Sequence, residues 1–297
     1  MADKMLEANE KARELAREVY GLARRITAEI HAACHRPAVR FTLEPGEPSI
    51  FESKAGGTPY LPHDMPWPLD GGGAGLGLLA QVDCAGLAGL PDFPTTGLLQ
   101  FFASPGDVWG LNFDDPTDTA GFRVLYHETV DRTVTPEEVE SKRPPRPEGA
   151  DDWLPLCKNC RIVLSPPAEQ GMNETDPRFG PLFAEKWNAL RPDAPVTGTW
   201  DMHELVPERL RDYDATYQPG WEAAFHQLGG YPYFTQDDPR PGQYEDFDTL
   251  LFQLDSDMPS GGDLVLWGDC GVGNFFINRD ALKRRDFSKV LYNWDCC

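Results

Sequence analysis

Two stretches of this chain repeat each other in order, about 173 residues apart, and no other feature limits the fold as much. Gly56-Gly57-Thr58-Pro59-Tyr60 returns as Gly229-Gly230-Tyr231-Pro232-Tyr233, and Leu79-Ala80-Gln81-Val82-Asp83 returns as Leu251-Phe252-Gln253-Leu254-Asp255. The run GLLQFF from Gly97 returns as GVGNFF from Gly271, and Val124-Leu125-Tyr126 returns as Val290-Leu291-Tyr292. A period this long excludes a solenoid. It points to an internal duplication of a β-rich unit.

The parts of each unit follow from their residues. Gly-Gly-x-Pro supplies positive φ and then a fixed φ, the chemistry of a tight turn. Leu-x-Gln-x-Asp reads as a strand, in which period two puts Gln81 on the face of Leu79 and Gln253 on that of Leu251. A buried amide needs hydrogen-bond partners. Two destinations fit: the backbone of the neighbouring glycine turn, or a pocket between the units. In the pocket reading the binding residues are Gly57, Gln81, Asp83, His226, Gly230, Gln253, Asp255, Asp257 and Trp267.

Residues 3–33 predict one amphipathic helix, because Leu15, Val19, Leu22, Ile26 and Ile30 fall on one stripe. Beyond it, Gly and Pro number 28 each and punctuate short apolar runs. Strands are predicted at Leu78–Val82, Leu98–Ala103, Phe122–His127, Arg161–Leu164, Thr249–Leu254, Leu264–Trp267, Asn274–Ile277 and Lys289–Asn293. Helices are predicted at 181–190 and 204–213, with one further turn or two at 220–226. The fold class is therefore mainly β, a β-rich α+β body of two antiparallel units with an N-terminal helix. The expected divisions are a helix at 1–36, a first β unit at 37–135, a linker and helical insertion at 136–215, and a second β unit at 216–297.

Charge narrows the partners. There are 27 Lys and Arg against 48 Asp and Glu, for a net charge of −21. That sign disfavours phosphate-backbone binding and anionic membranes. The N-terminus lacks the apolar core of a signal peptide, so cytoplasmic residence is expected. Seven cysteines in 297 residues fit reduced thiols better than a disulfide framework.

Catalytic templates are missing: there is no G-x-S-x-G, P-loop or H-E-x-x-H. The metal candidates are Cys157 and Cys160, spaced as half a zinc knuckle, with Cys296 and Cys297; no cofactor beyond that Zn²⁺ is expected. Asp255 and Asp257 follow a strand, where loop carboxylates suit a divalent cation, although the spacing is not that of an EF-hand.

GGTPYLP, MPWP, LLAQVD and GLLQFF resemble the N-terminal half of the YwqG-like family, and HQLGGYPYFTQ, LLFQLDSD, WGDCGVGNFFI and LKRRDFSKVLYNWDCC resemble its C-terminal half. The resemblance covers residues 38–297. It implies a cytoplasmic, mainly antiparallel β fold and no established activity, so no catalytic residues carry over. Association of some relatives with toxin and immunity loci implies a binding role. The expected function is a non-enzymatic binding module that holds a basic partner protein, such as a toxin, or a small ligand between its two units. The alternatives are a metal-dependent hydrolase using the clustered aspartates and a Zn-stabilised structural domain.

Overall fold

The computed structural model describes residues 2–145, 149, 153–211 and 225–297. Its strands are β1 (His35–Pro45), β2 (Lys54–Ala55), β3 (Gly77–Asp83), β4 (Leu98–Ala103), β5 (Phe122–His127), β6 (Cys160–Leu164), β7 (Ala168–Gly171), β8 (His226–Gly229), β9 (Thr249–Asp255), β10 (Val272–Ile277) and β11 (Leu291–Asp295). Its helices are α1 (Ala2–Ala33), α2 (Pro136–Ser141), α3 (Phe179–Leu190), α4 (Thr199–Glu204) and α5 (Arg279–Lys283). The protein is mainly β, and its chain divides into two compact units.

The larger unit comprises Pro37–Glu169, Ala224–Gly230 and Phe234–Cys297. Its sheet runs β11-β10-β9-β8-β1-β6-β2-β3-β4-β5, with β7 off this path. Two meanders, β2–β5 and β8–β11, thus flank the antiparallel β1–β6 pair. The meanders match in detail. Gln81 lies opposite Gln100, and Gln253 lies opposite Asn274. The register slips past Leu79 in one meander and past Leu251 in the other, so both carry a bulge at the same repeated leucine. Leu99 faces Tyr126 and Phe275 faces Tyr292, which sets the Val-Leu-Tyr match two residues out of structural register. A two-residue slip keeps every side chain on its face.

β3, β4, β9 and β10 are buried at almost every position, which is why they read as apolar runs, each interrupted by a buried amide. Phe101 of β4 stacks on Phe252 of β9 with ring centroids 4.3 Å apart. Phe122 of β5 lies 5.2 Å from Tyr292 of β11, so the sheet curls until its two ends share a core. Trp109 packs edge-on against Trp267 at 5.2 Å and Trp294 at 4.5 Å. Rings fill the space between the meanders, where a binding cleft was expected.

Leu264–Trp267 forms no strand. Leu264 and Val265 instead bond the backbone of Asp257, and Leu266 donates to Pro155. Val265 makes isolated antiparallel bridges to Leu156 and Asp257, so the run pairs locally without becoming a strand of the sheet. The stretch 136–215 holds α2, α3 and α4, and also β6 at the centre of the sheet. The expected boundary at 215/216, and the turn expected at 220–226 up to residue 224, lie outside the described residues.

The smaller unit comprises Met1–Arg36, Gln170–Ala223 and Tyr231–Tyr233. The α1 stripe of Val19, Ile26 and Ile30 packs with Phe183 and Trp187 of α3 and Met202 of α4. Pro207 breaks the helix expected at 204–213: α4 ends at Glu204, and among the described residues a 3₁₀ turn follows at Glu208–Leu210, residues 212 and 213 lying outside them. No helix among the described residues is long and apolar enough to cross a membrane.

Candidate functional site

The first glycine turn is held from beneath by a polar network. Gly56 and Gly57 adopt φ of 74° and 73°. A Cβ at Gly56 would sit 2.6 Å from Asn159 Oδ1, so close approach as well as φ selects glycine there. Three residues on, the Tyr60 amide donates to Gln81 Oε1 at 2.9 Å. Gln81 Nε2 donates to the Ile50 and Glu52 carbonyls, both at 2.9 Å. Gln100 Nε2 donates to Tyr60 O at 2.7 Å and Gln81 Oε1 at 2.8 Å. His127 Nε2 completes the chain by donating to Gln100 Oε1 at 2.9 Å, and burial pushes this imidazole down to about 4. Gln81 is therefore a backbone clamp. Lys54 of β2 is only 1% exposed, and its ammonium donates to Thr58 O. Burial pulls it down to about 8.

A surface cleft of about 720 Å³ opens beside this turn. Gly57, Glu47, Arg143, Trp153, Leu154 and Asn159 line it. Arg143 is spent on a bidentate pair with Glu140, both bonds 2.8 Å, and lies over the Trp67 ring. Glu47 accepts from the Asn159 amide at 2.9 and 3.1 Å and meets no cation within ion-pair distance among the described residues. Trp153 is 45% exposed. The cleft thus offers a carboxylate, an aromatic face and aliphatic walls, and the hydroxyl of Thr58 at its lining donates to the Glu140 carboxylate.

The second glycine turn repeats the backbone, with Gly229 and Gly230 at φ of 69° and 73°. Gln253 donates to Phe225 O at 2.7 Å, just before this turn. Gly230 donates its amide to Pro37 O at 3.0 Å. Here His226, Asp255 and Asp257 do come together. His226 Nδ1 accepts from the Asp255 amide at 3.0 Å, so in the neutral ring Nε2 carries the proton; it faces Asp257 Oδ2 at 3.5 Å. Phe41 stacks on the imidazole at 5.1 Å. The His226 hydrogen bond holds the Asp257 carboxyl below its ordinary range. Burial pushes Asp255 the other way, up to about 7, and the nearby Asp257 charge adds to the shift. Asp255 Oδ2 is buried without a hydrogen-bond partner. Asp83, its counterpart in the first meander, caps a 3₁₀ turn through Ala85 N at 3.0 Å.

The remaining candidates scatter. Trp267 is fully buried. Cys160 is buried in β6 and Cys157 lies just before it; burial is the main reason both thiols are raised. Their sulfurs form no metal-sized group with Cys296 and Cys297. The grouping found among the described residues is Asp269, Cys270 and Cys297, with ligand atoms within 4.8 Å of one another.

Sequence reasoning passed over Lys54, Glu47, Arg143 and Trp153. Nothing local marks Lys54, since it follows Glu52-Ser53 in a polar stretch ahead of Gly56-Gly57. The other three come from distant loops, and nothing local marks them.

No curated protein matches the chain. The family described as Domain of unknown function (DUF1963) matches residues 53–296, which takes in both meanders. Since this match spans most of the sequence, the chain belongs to that family.

Proposed function

We propose that the protein is a non-enzymatic binding module, and that the cleft beside Gly56-Gly57 takes a basic side chain of a partner protein. One observation carries the reading: Glu47 stands in a concave site with Trp153 and Leu154, fixed by Asn159 and with no cation within ion-pair distance among the described residues. A Lys or Arg side chain lays its apolar stem on such walls and its charge on such a carboxylate. The net charge of −21 would speed encounter with a basic partner and make it salt-sensitive. An internal duplication accounts for the paired meanders, and the shared bulge supports it. The two copies then diverged at their turns, with Ser53 in one place and His226 in the other.

A metal-dependent hydrolase is the second reading, favoured by the meeting of His226, Asp255 and Asp257. Its difficulty is access: His226 is 6% and Asp255 2% exposed. Their ligand atoms also form no group within 4.8 Å.

Calorimetric titration with a Lys/Arg-rich peptide and an acidic peptide of equal length tests the proposal. The expected result is salt-sensitive binding of the basic peptide alone, weakened at least tenfold by Glu47→Gln and by Trp153→Ala. Equal binding of both peptides, or binding indifferent to both substitutions, would overturn it.

A further inference from the structure

The β10–β11 ladder ends with Val272 opposite Asp295. Carried outward, the same register sets Gly271 against Cys296 and Cys270 against Cys297. The structure follows it: Cys270 Sγ and Cys297 Sγ lie 2.8 Å apart, with the Asp269 carboxylate beside them. The loop is shaped for this. Gly271 N returns to Trp267 O at 2.7 Å, which closes a tight turn around Gly268-Asp269-Cys270. Gly268 takes φ of 60°, and a Cβ there would lie 2.6 Å from Cys296 Sγ. A Cβ on Gly271 would lie 1.9 Å from Asp295 O. Both glycines therefore admit the Cys296-Cys297 segment against the loop that carries Asp269 and Cys270.

We infer that Asp269, Cys270 and Cys297 form a surface site for a thiophilic divalent cation of the Zn²⁺ class, with water in the fourth position. Two sulfurs and one carboxylate oxygen are a donor set that Zn²⁺ takes tetrahedrally. The sulfurs need to part by roughly 1 Å to share an ion at ordinary Zn–S lengths of about 2.3 Å. Their place beyond the last ladder pair leaves both side chains that freedom. Binding releases both thiol protons to solvent and leaves the site, with two thiolates, one carboxylate and a divalent cation, at a net charge of −1. Cys157 and Cys160 take no part.

Co²⁺ titration of the full chain under reducing, anaerobic conditions tests this. Thiolate-to-cobalt charge transfer and tetrahedral d–d bands should saturate at one equivalent, and Zn²⁺ should displace Co²⁺. Cys270→Ser and Cys297→Ser should each weaken Co²⁺ binding roughly tenfold or more, while Cys157→Ser leaves it unchanged. Far-UV dichroism of each variant separates ligand loss from unfolding. The inference is overturned by absence of the bands in folded, reduced protein. It is equally overturned by bands that survive both ligand substitutions, or by an equal loss in Cys157→Ser. Intact mass showing a Cys270–Cys297 disulfide as the sole chemistry, with no metal uptake after reduction, would also overturn it.

Discussion

Asp255 donates its backbone amide to His226 Nδ1 at 3.0 Å, where in the other meander Asp83 donates to Ser53 Oγ at 2.8 Å. The same backbone position is thus satisfied by a hydroxyl in one copy and an imidazole in the other. The bulky ring seals the second position: Phe41 covers it on one side, and the Asp255 carboxyl is shut in. Asp83 is thus a turn-capping aspartate and Asp255 a buried acid.

That acid makes stability depend on pH. Asp255 ordinarily titrates near 3.8 and is held up to about 7 in the fold, chiefly by burial and further by Asp257. The folded state therefore keeps its proton where the unfolded chain has lost it. The contribution to stability is full below about 4, declines as pH rises to about 7, and stays lost above. Asp255→Asn should remove this slope and stabilise the protein at pH 8 by about 2 kcal/mol. Urea unfolding of both proteins at pH 5 and pH 8 checks it; an Asn variant that is less stable at pH 8 would contradict the burial argument.

Lys54 carries the opposite sign. Burial lowers its ammonium from 10.5 to about 8, so the unfolded chain binds the proton more tightly. Below about 8 the charged, buried group costs stability, and the cost is relieved as pH rises from about 8 to 10.5. Lys54→Met keeps the packing volume and removes the charge. It should raise stability at pH 7 by about 2 kcal/mol and abolish the alkaline rise. Thermal melts between pH 7 and pH 10 would show both effects, and a Met variant that melts lower at pH 7 would instead mean that the single bond to Thr58 outweighs burial.

Gln81 has four hydrogen-bond links, to Tyr60, Ile50, Glu52 and Gln100. Gln81→Leu leaves the buried Tyr60 amide and the Ile50 and Glu52 carbonyls without that partner. The expected loss is about 3 kcal/mol, read as a lower urea midpoint at unchanged slope. A loss below about 0.5 kcal/mol would mean that the turn rearranges to satisfy itself.

Much of this frame is legible in the residues. Leu98–Ala103 and Phe122–His127 match their strands to the residue, because a buried apolar run bounded by turn residues has few other uses. β8 escapes because His-Gln-Leu-Gly is short and half polar, and its glutamine faces Gln253 across the ladder. β1 escapes because it opens with His35-Arg36-Pro37, a sequence that ends a helix as readily as it starts a strand. The site is less legible than the fold. Glu47, Arg143 and Trp153 meet only after the chain has folded. Cys270 could have been matched to Cys297 once the two strands before and after them were paired, since register alone sets them opposite.

The meanders should not survive apart. The pair at the sheet's centre is β1, from the first half of the chain, and β6, from the middle; β1 also carries β8 on its other edge, with Ala38 opposite Gly229. Residues 37–135 alone would leave β1 without either neighbour and Phe101 without Phe252. Residues 216–297 alone would leave β8 with an open edge and Phe252, Phe275 and Tyr292 facing water. Exposed apolar faces and unpaired edges drive aggregation rather than independent folding. Each fragment should therefore be insoluble, or soluble only as a state lacking a sharp melt, whereas in the full chain both meanders should unfold in one cooperative transition. Two soluble fragments, each melting sharply by itself, would show that the shared aromatic core is not what holds the meanders together.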